Sequence, residues 1–378
     1  MDMEQNMLRK ERKLRRKRFR QRIVFVLEIL ILLVLVAGLF VFAKMDQMEY
    51  DELDFTEIQF NEEAANNEIL RGYTTIALVG VDSRDGNLEN ANSDTMIIVS
   101  INNTTKKIKL LSIYRDTYLR VGQDDEGNGI YGKANSAYNH GSSKQMLSML
   151  NTNLDLTIQD YVTVDFTSVA TVTDLLGGID IELTIEEVEL LNHHCIETSQ
   201  VTGFTYEPLE KTAGIHHLNG VQAVAYARIR YTEGMDMRRA ARQREVIYKL
   251  VDKVKNSSIS TLNRIVDEVF PMIRTSLSKS DIVKLGMGIL SYEIEDQAGF
   301  PHDHLLGKNV ADALGIDCVL PVTLESNVIW LHGFLYDQQD YVPSAAVKKY
   351  SDWIIQLSGY GEESRLENSE DGNLDDYR

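Results

Sequence analysis

The feature that most constrains this chain is a run of 20 mostly apolar residues from Ile23 to Phe42. At about 1.5 Å per residue, a helix of that length covers the roughly 30 Å hydrocarbon core of a bilayer. The run is too long for the apolar part of a signal peptide, and no small-residue cleavage site follows Phe42. We therefore predict a transmembrane helix at residues 23–42 that stays attached as a signal anchor.

The charges on the two sides of this run predict its orientation. Residues 1–22 hold ten Lys and Arg against three Asp and Glu, a net charge of +7, so the rest of the chain carries −25 in an overall −18. Basic flanks stay in the cytoplasm, so we expect the chain beyond the span to lie outside the cell. The orientation of the span and attraction to anionic lipid explain the basic tail. The acidic remainder of the chain argues against a nucleic-acid partner.

Composition divides the chain into successive segments. We predict a basic cytoplasmic tail (1–22), the transmembrane helix (23–42), an acidic extracellular stalk (43–72), a folded extracellular domain (73–360) and a disordered acidic tail (361–378). The only two cysteines, Cys195 and Cys318, cannot form a disulfide framework. A single bridge and two free thiols are both open for them.

Strand and helix patterns alternate through the folded domain. Nearly continuous apolar residues at Thr74–Asp82 are typical of a strand buried on both faces. Two runs around the turn Asn102–Thr105 predict a hairpin of Ser93–Ile101 and Lys107–Tyr114. Further strands are predicted at Tyr161–Phe166, Ile179–Leu183, Ala223–Arg230, Asp317–Pro321 and Asn327–Leu335. Helices are predicted at Ser142–Leu154, Thr167–Leu176, Ile185–His194, Asp236–Lys255, Ile259–Phe270, Lys279–Leu290 and Ser344–Leu357. The fold class is therefore α/β, with a mixed central sheet between helices on both faces.

The segment from Ala223 to Val246 is rich in arginine at places where arginine is costly. On the predicted strand, Arg228 and Arg230 project from one face about 7 Å apart. The helix that follows carries four arginines in its first turns, where the helix dipole disfavours cations: Arg238, Arg239, Arg242 and Arg244. Guanidinium forks and backbone N–H groups at such a place suit phosphate.

Gln243 adds a second indication of a ligand. It falls on the apolar stripe of this helix, one turn after Arg239, so the two side chains can address one ligand together. The alternative is a solvated arginine-rich helix start, with Asp236 as its N-cap and Glu245 as a neutralising neighbour.

Two carboxylates complete a candidate diphosphate site. Asp82 ends one predicted core strand and Asp94 begins the next, so one sheet edge can bring them together, and the third strand delivers Arg115. Magnesium is usually held by one or two protein carboxylates together with substrate phosphates. An Asp at a strand end is also a common turn residue. The glycine patterns of P-loop and dinucleotide-binding proteins are absent, so a soluble nucleotide is not the expected ligand.

Several ordered segments together resemble the LytR-CpsA-Psr family of cell-envelope proteins. They are GVDSR (Gly80–Arg84), SDTMI (Ser93–Ile97), SIYRDT (Ser112–Thr117), KANSAY (Lys133–Tyr138), DLLGGIDIEL (Asp174–Leu183), LNGVQAVAYARIR (Leu218–Arg230) and DMRRAARQREV (Asp236–Val246). The basic tail and the single predicted span match as well. The resemblance covers roughly residues 73–255 well and the C-terminal third loosely.

The resemblance implies a transferase on the outer face of a bacterial membrane. Such enzymes take a glycopolymer, such as a teichoic acid or a capsular polysaccharide, from a polyprenyl diphosphate carrier and attach it to peptidoglycan through a phosphodiester. Carried over by motif, Asp82 and Asp94 correspond to the carboxylates on the magnesium side. The diphosphate contacts correspond to Arg115, Arg228, Arg230, Arg239 and Gln243, with Arg84 as a weaker candidate. Asp82, Asp94 and Arg115 are thus the predicted catalytic residues.

The expected reaction is attack by an acceptor hydroxyl on the phosphorus nearest the sugar, with polyprenyl phosphate as the leaving group. Arginine and magnesium can stabilise the charge that develops on the phosphate oxygens. Asp82 is the candidate proton acceptor, and the alternative role for it is metal binding alone. Two alternatives stay open. One is a regulatory or carrier protein that binds polyprenyl diphosphate without catalysis, and the other is a hydrolase that releases the polymer to water.

Overall fold

The computed structural model describes residues 49–53, 55–83, 88, 92–230 and 235–365. Within these ranges no helix is both long enough and apolar enough to cross a bilayer. The predicted cytoplasmic tail and the predicted span at 23–42 lie outside the described residues, as does Arg84.

The elements are numbered in chain order within these ranges. The strands are β1 (Glu49–Tyr50), β2 (Tyr73–Asp82), β3 (Asn92–Asn102), β4 (Lys107–Ile113), β5 (Tyr118–Gln123), β6 (Gly129–Lys133), β7 (Asp160–Asp165), β8 (Ile179–Leu183), β9 (Gly214–Leu218), β10 (Arg274–Thr275), β11 (Glu293–Phe300), β12 (His304–Leu305) and β13 (Leu320–Pro321). The helices are α1 (Glu62–Ala65), α2 (Asn135–Leu154), α3 (Phe166–Leu175), α4 (Ile185–Thr202), α5 (Gly220–Ala227), α6 (Met235–Lys255), α7 (Ile259–Val269), α8 (Lys279–Gly288), α9 (Lys308–Leu314), α10 (Leu324–Tyr336) and α11 (Ala345–Ser358).

A mixed sheet lies at the centre of the described part of the chain. Its seven strands follow the order β1-β10-β7-β2-β3-β4-β11. β2, β3 and β4 pair antiparallel, which confirms the predicted hairpin. β7 lies parallel beside β2, and β11 lies parallel beside β4. The predicted mixed α/β class is therefore confirmed.

Helices cover both faces of this sheet. Alternate residues such as Val79, Ile98 and Leu111 point into the larger core, which α2, α10 and α11 close. Their neighbours, such as Ile97 and Leu110, point to the other face, where α6 and α8 pack. This alternation follows from the two-residue period of a strand, and it gives the predicted arrangement of helix, sheet and helix.

A smaller core stands beside the sheet. β8 pairs with β9 in a separate two-stranded sheet, and both pack with α4, α5 and Val246 of α6. α4 begins at a capping box, in which Thr184 accepts the N–H of Glu187 while the Glu187 carboxylate accepts the N–H of Thr184. This smaller core includes α5, the helix that precedes the arginine-rich helix α6 in the chain.

The segment from Ala223 to Arg230 is not a strand. It belongs mostly to α5, which Asn219 caps by accepting the N–H of Gln222, and Arg228 follows its last residue. Because every residue from Gly220 to Tyr226 is buried, the helix has no polar face, and its apolar run imitates a buried strand. The predicted strand is wrong, and so is the inference that Arg228 and Arg230 share one strand face.

A second predicted strand, Asn327–Leu335, is also a helix. It lies within α10, where Thr323 caps the first turn by accepting the N–H of Ser326. Its polar residues Asn327 and His332 are themselves buried, so no polar stripe marks the helical period. The strand predicted at Asp317–Pro321 is reduced to its last two residues, β13.

The folded unit begins earlier than predicted. β1 pairs with β10 in the central sheet, and three residues of the predicted stalk are buried: Ile58, Ala64 and Leu70. The boundary at Tyr73 is therefore too late, and residues 49–53 and 55–72 are not a separate stalk. At the other end, Arg365 pairs with Asp303, so the predicted disordered tail begins too early. Residues 366–378 lie outside the described residues.

Two local predictions are settled by burial and backbone geometry. The helix expected from Ser142 begins at Asn135, but Gly141 and Ser142 are non-helical, so Ser142 marks where α2 restarts after a kink. Both cysteines are buried free thiols, and burial raises the pKa of each to about 12. Of the two open alternatives, the structure has free thiols.

We expect Gly220→Ala to destabilise the domain because α5 approaches α3 too closely for a methyl group. A Cβ at Gly220 would lie 2.2 Å from the backbone oxygen of Ala170. Overpacking of this kind costs about 1–3 kcal/mol, and thermal unfolding of the full chain in detergent measures it. Gly286→Ala in α8 is the control, since nothing lies within 4 Å of a Cβ there. Equal melting temperatures for the two variants would contradict this packing.

Candidate functional site

Strand pairing brings Asp82 and Asp94 to one edge of the central sheet. Asp82 ends β2 opposite Asn92 of β3, while Gly80 lies opposite Thr95 and Val81 opposite Ser93. Asp94 is therefore the extra residue of a β-bulge, a feature that re-aims a side chain. The predicted juxtaposition is confirmed.

Arg115 lies in the turn that follows β4, held against the start of α2. The N–H of Asn135 donates to the Arg115 carbonyl at 3.0 Å, and the N–H of Ala134 donates to the Thr117 carbonyl at 2.8 Å. Lys133 pairs with Asp116 at 3.3 Å. The segment Lys133–Tyr138 thus fixes the turn that presents Arg115.

Arginines from three elements meet at Asp94. Arg115 Nη1 donates to Asp94 Oδ1 at 2.8 Å, and Arg230 Nη2 lies 3.8 Å from the same oxygen. Asp236, in the first turn of α6, also contacts these arginines. It accepts hydrogen bonds from Arg115 Nε at 3.3 Å and from Arg239 Nη2 at 3.2 Å. We name Asp94, Arg115, Arg230, Asp236 and Arg239 the arginine cluster. It holds three cations against two anions.

Arg239 is the unusual member of the arginine cluster. Its side chain is only 5% exposed, yet Nε and Nη1 have no hydrogen-bond partner among the described residues. Burial lowers its pKa to about 10, and Asp236 resists that fall while Arg230 and Arg115 add to it. A buried cation with unused donors is costly unless an anion approaches. The geometry therefore favours a site for an anion at Arg239.

Arg115 has a different electrostatic setting. Burial lowers its pKa, but the carboxylates of Asp236, Asp116 and Asp94 outweigh that effect and raise the pKa overall. Its charge is thus anchored by protein partners, whereas Arg239 has donors to spare. Arg115 is suited to fix the geometry of Asp94 and to add positive potential.

The structure does not bring every predicted site residue into the arginine cluster. Arg228 turns away to α4, where it donates to Glu197 and to Thr198, both at 2.9 Å, and its guanidinium lies 4.8 Å from the centre of the Phe166 ring. Gln243 is half-buried one turn after Arg239, and within the described ranges no hydrogen bond joins its side chain to the cluster. Arg84 lies outside those ranges.

The carboxylates at this edge of the sheet suit magnesium only when a substrate supplies further oxygen ligands. Within the described residues no three His, Cys, Asp or Glu side chains are grouped to hold a metal. Asp82 and Asp94 supply the one or two carboxylates that magnesium usually takes from a protein, and phosphate oxygens would supply more ligands. The metal role of the two aspartates therefore stays a prediction.

Asp236 belongs to the arginine cluster, whereas the sequence indicated it only as a helix cap. In the structure it bridges Arg115 and Arg239 and so fixes two of the three cations. Its position at the start of an arginine-rich helix was the available signal. Its partner Arg115 lies in the turn after β4, more than a hundred positions away, and the local pattern does not specify that contact.

The family model of LytR_cpsA_psr matches residues 39–298 of this chain, more than half of its length. This chain belongs to the LytR_cpsA_psr family. The family resemblance drawn from the motifs is thereby confirmed.

Curated relatives of this LytR_cpsA_psr protein carry names of two kinds. It is 29% identical over 216 residues to the polyisoprenyl-teichoic acid–peptidoglycan teichoic acid transferase TagU of Enterococcus faecalis, an alignment that covers 56% of this chain and 64% of that protein. It is 32% identical over 226 residues to biofilm regulatory protein A of Streptococcus mutans, covering 56% of this chain and 52% of that protein. The matches thus span between half and two thirds of these relatives' own lengths.

Solved structures share the fold of this LytR_cpsA_psr protein. A protein of Enterococcus faecalis named as a transcriptional regulator aligns with a TM-score of 0.57 and 23% identity, over 78% of this chain and 99% of that one. TagV of Bacillus subtilis aligns with a TM-score of 0.53 and 24% identity, over 72% of this chain and 98% of that one. The central mixed sheet is therefore a shared architecture.

The different contacts of Arg228 and Arg230 predict different losses. We expect Arg228→Ala to lower the melting temperature, since two charge-assisted hydrogen bonds disappear at about 1.5–3 kcal/mol each. Arg230→Ala should leave the melting temperature nearly unchanged and weaken diphosphate binding, because Arg230 is one third exposed and faces Asp94. Thermal unfolding and lipid titration of both variants check this. A stability loss confined to Arg230→Ala would reverse the two roles.

Proposed function

We propose that this chain is a membrane-anchored transferase that moves a glycopolymer from a polyprenyl diphosphate carrier to peptidoglycan through a phosphodiester bond. The observation that carries the proposal is Arg239, a buried guanidinium with two unused donors beside Arg115 and Arg230. The relatives named as teichoic acid transferases support the same choice of substrates.

The arginine cluster binds the diphosphate in this proposal. Arg239 donates from Nε and Nη1, which have no hydrogen-bond partner within the described residues, and Arg230 adds a charge that is one third exposed. Charge-assisted bonds from planar forks both hold and orient a phosphate. Asp94 and Asp236 keep the three cations in place before the substrate arrives, so less ordering is required at binding.

The proposed reaction exchanges one phosphorus–oxygen bond for another. The oxygen of an acceptor hydroxyl forms a bond to the phosphorus that carries the sugar, and the bond from that phosphorus to the bridging oxygen breaks. Polyprenyl phosphate leaves with the bridging oxygen, and the hydroxyl proton passes to Asp82. The arginines stabilise the charge that gathers on the phosphate oxygens.

Magnesium belongs to the proposal through Asp82 and Asp94. These are the carboxylates that would hold it, and when bound it would neutralise charge on the phosphate oxygens. Arg115 keeps Asp94 oriented through the hydrogen bond to Oδ1, so this chain's own part is to present the carboxylate to the cation.

The proposal also places the folded domain outside the cell, anchored by residues 23–42. The support is the basic segment before that run and its length, both read from the sequence. A protease added to intact cells should remove the folded domain. Protection of everything except residues 1–22 would reverse the orientation and remove the proposed acceptor.

The test of the proposed site is a comparison of two lipids. We expect the full chain in detergent to bind a short polyprenyl diphosphate at least about tenfold more tightly than the monophosphate of the same chain length. One additional charge-assisted hydrogen bond supplies that difference. Isothermal titration measures both affinities. Equal affinities would mean that the arginine cluster does not bind a diphosphate.

A further inference from the structure

A cavity lined by several charged side chains lies beside α6, away from the side that carries Arg239. Its volume is about 520 Å³, and it is bounded by α4, by α6 and by the edge strand β11. We name it the lateral cavity. The side chains used below are Arg238, Arg244, Tyr248, Lys249 and Gln297.

Helical spacing explains why the lateral cavity is positively charged. Arg238, Arg242 and Lys249 recur at intervals of four and seven residues and so share one face of α6. The two wall carboxylates are already engaged: Glu187 accepts from Arg242 at 2.8 Å, and Glu245 accepts from the Tyr226 hydroxyl at 2.6 Å. The remaining charge on the wall is positive.

Arg244 is a buried cation of the lateral cavity whose hydrogen-bond donors are only partly used among the described residues. It is 7% exposed, and its Nη1 donates to Ser112 Oγ at 2.7 Å, but its Nε has no hydrogen-bond partner in the part of the chain that the structure describes. Burial lowers its pKa, as expected for a cation without a carboxylate beside it. Arg238, at the mouth, is exposed and forms no ion pair within the same residues.

We propose that the lateral cavity binds a phosphate group in the repeat units of the donor polymer. Arg244 and Arg238 would donate to the phosphate, Tyr248 would lie against a sugar or polyol, and Gln297 would donate or accept from a hydroxyl. Guanidinium forks match phosphate oxygens well.

The position of the lateral cavity favours the donor over the acceptor. Arg238 adjoins Arg239 at the start of α6, so the cavity and the proposed diphosphate site lie on adjacent faces of the same helical turn. The polymer is covalently joined to that diphosphate, and its first repeats are therefore held at a high effective concentration there. The assignment of the lateral cavity to the donor polymer rests on the proposed function. The binding of a phosphate-bearing ligand by the cavity does not.

The test uses exposed positions, so that folding is not at risk. The full chain in detergent is titrated with a short glycerol phosphate oligomer, an uncharged oligosaccharide of similar length, a soluble peptidoglycan fragment and polyprenyl diphosphate without polymer. We expect the double variant Arg238→Ala with Lys249→Ala to bind the oligomer about tenfold more weakly and polyprenyl diphosphate unchanged. Arg264→Ala is the matched control, because Arg264 is exposed on α7 and does not line the cavity.

Three results would overturn the inference. The double variant could bind the oligomer as the wild type does, or the wild type could bind the uncharged oligosaccharide equally well. The peptidoglycan fragment could lose affinity in place of the oligomer, which would assign the cavity to the acceptor. Failure of the wild type to bind polyprenyl diphosphate would instead count against the proposed function. Oligomer binding would still decide the lateral cavity.

Discussion

Arg239→Met is expected to weaken polyprenyl diphosphate binding by about 100-fold or more and to leave the domain folded. Two unused donors, Nε and Nη1, are lost at about 1.5–3 kcal/mol for each charge-assisted bond to phosphate. Stability should stay level or rise, because methionine replaces a buried cation with an apolar side chain of similar length. Arg115 still holds Asp236 and Asp94 in the variant.

Titration with polyprenyl diphosphate that lacks a polymer measures this effect, together with a thermal melt. Arg238→Met is the matched control, since it makes the same substitution one residue earlier at an exposed position. Its affinity for that lipid should equal the wild type. Wild-type affinity for Arg239→Met, with a lower melting temperature, would make Arg239 a structural residue.

Asp94→Asn is expected to abolish turnover while the domain still folds and still binds the diphosphate lipid. Asn keeps the shape and an oxygen that can accept from Arg115, but it loses the charge that a hard cation prefers. Removal of one negative charge beside Arg115 and Arg230 should leave lipid affinity equal or higher. Loss of turnover without loss of binding therefore separates the metal role from a substrate-binding role.

The measurement is the rate against magnesium concentration for Asp94→Asn and Asp82→Asn. Asp124→Asn serves as the control, because Asp124 is a turn carboxylate that accepts the backbone N–H groups of Glu126 and Asn128. Asn preserves such a turn, so that variant should behave as the wild type. Wild-type magnesium curves for both edge aspartates would remove the metal from the proposed reaction.

The sheet and its carboxylates could be predicted because their causes are local. Alternation along β3 and β4, with a turn at Asn102–Thr105, fixes an antiparallel pair. Once β2 pairs with β3, Asp82 and Asp94 meet at one edge without further information. The pattern of residues therefore specified the part of the site that lies on neighbouring strands.

The helices α5 and α10 could not be recognised in the same way. Nearly every residue of α5 is buried, and the more exposed face of α10 carries apolar residues such as Ile329 and Trp330, so neither helix shows the polar stripe by which a period of 3.6 is detected. The capping pair Asn219 and Gln222 was the signal that distinguishes α5 from a strand. Because this segment was predicted as a strand, Arg228 was expected on the same face as Arg230. Its partners in the structure are on α4.

The remaining contacts could not be predicted because they join residues that are far apart in the sequence. Within the described residues, the only strand beside β1 is β10, which comes more than two hundred positions later. Likewise, Asp236 becomes a bridge only when the start of α6 docks against the turn after β4. No local period encodes either contact.

The most direct measurement of the proposed function is the fate of both halves of the donor. The purified full chain in detergent is given a synthetic polyprenyl diphosphate glycan, with and without a peptidoglycan oligosaccharide, and products are resolved by mass spectrometry. We predict one polyprenyl monophosphate for each glycan joined to peptidoglycan by a phosphodiester, and no release when the acceptor is omitted. Equal release without acceptor would identify a hydrolase. Tight binding with no release in either case would identify a carrier and contradict the transferase.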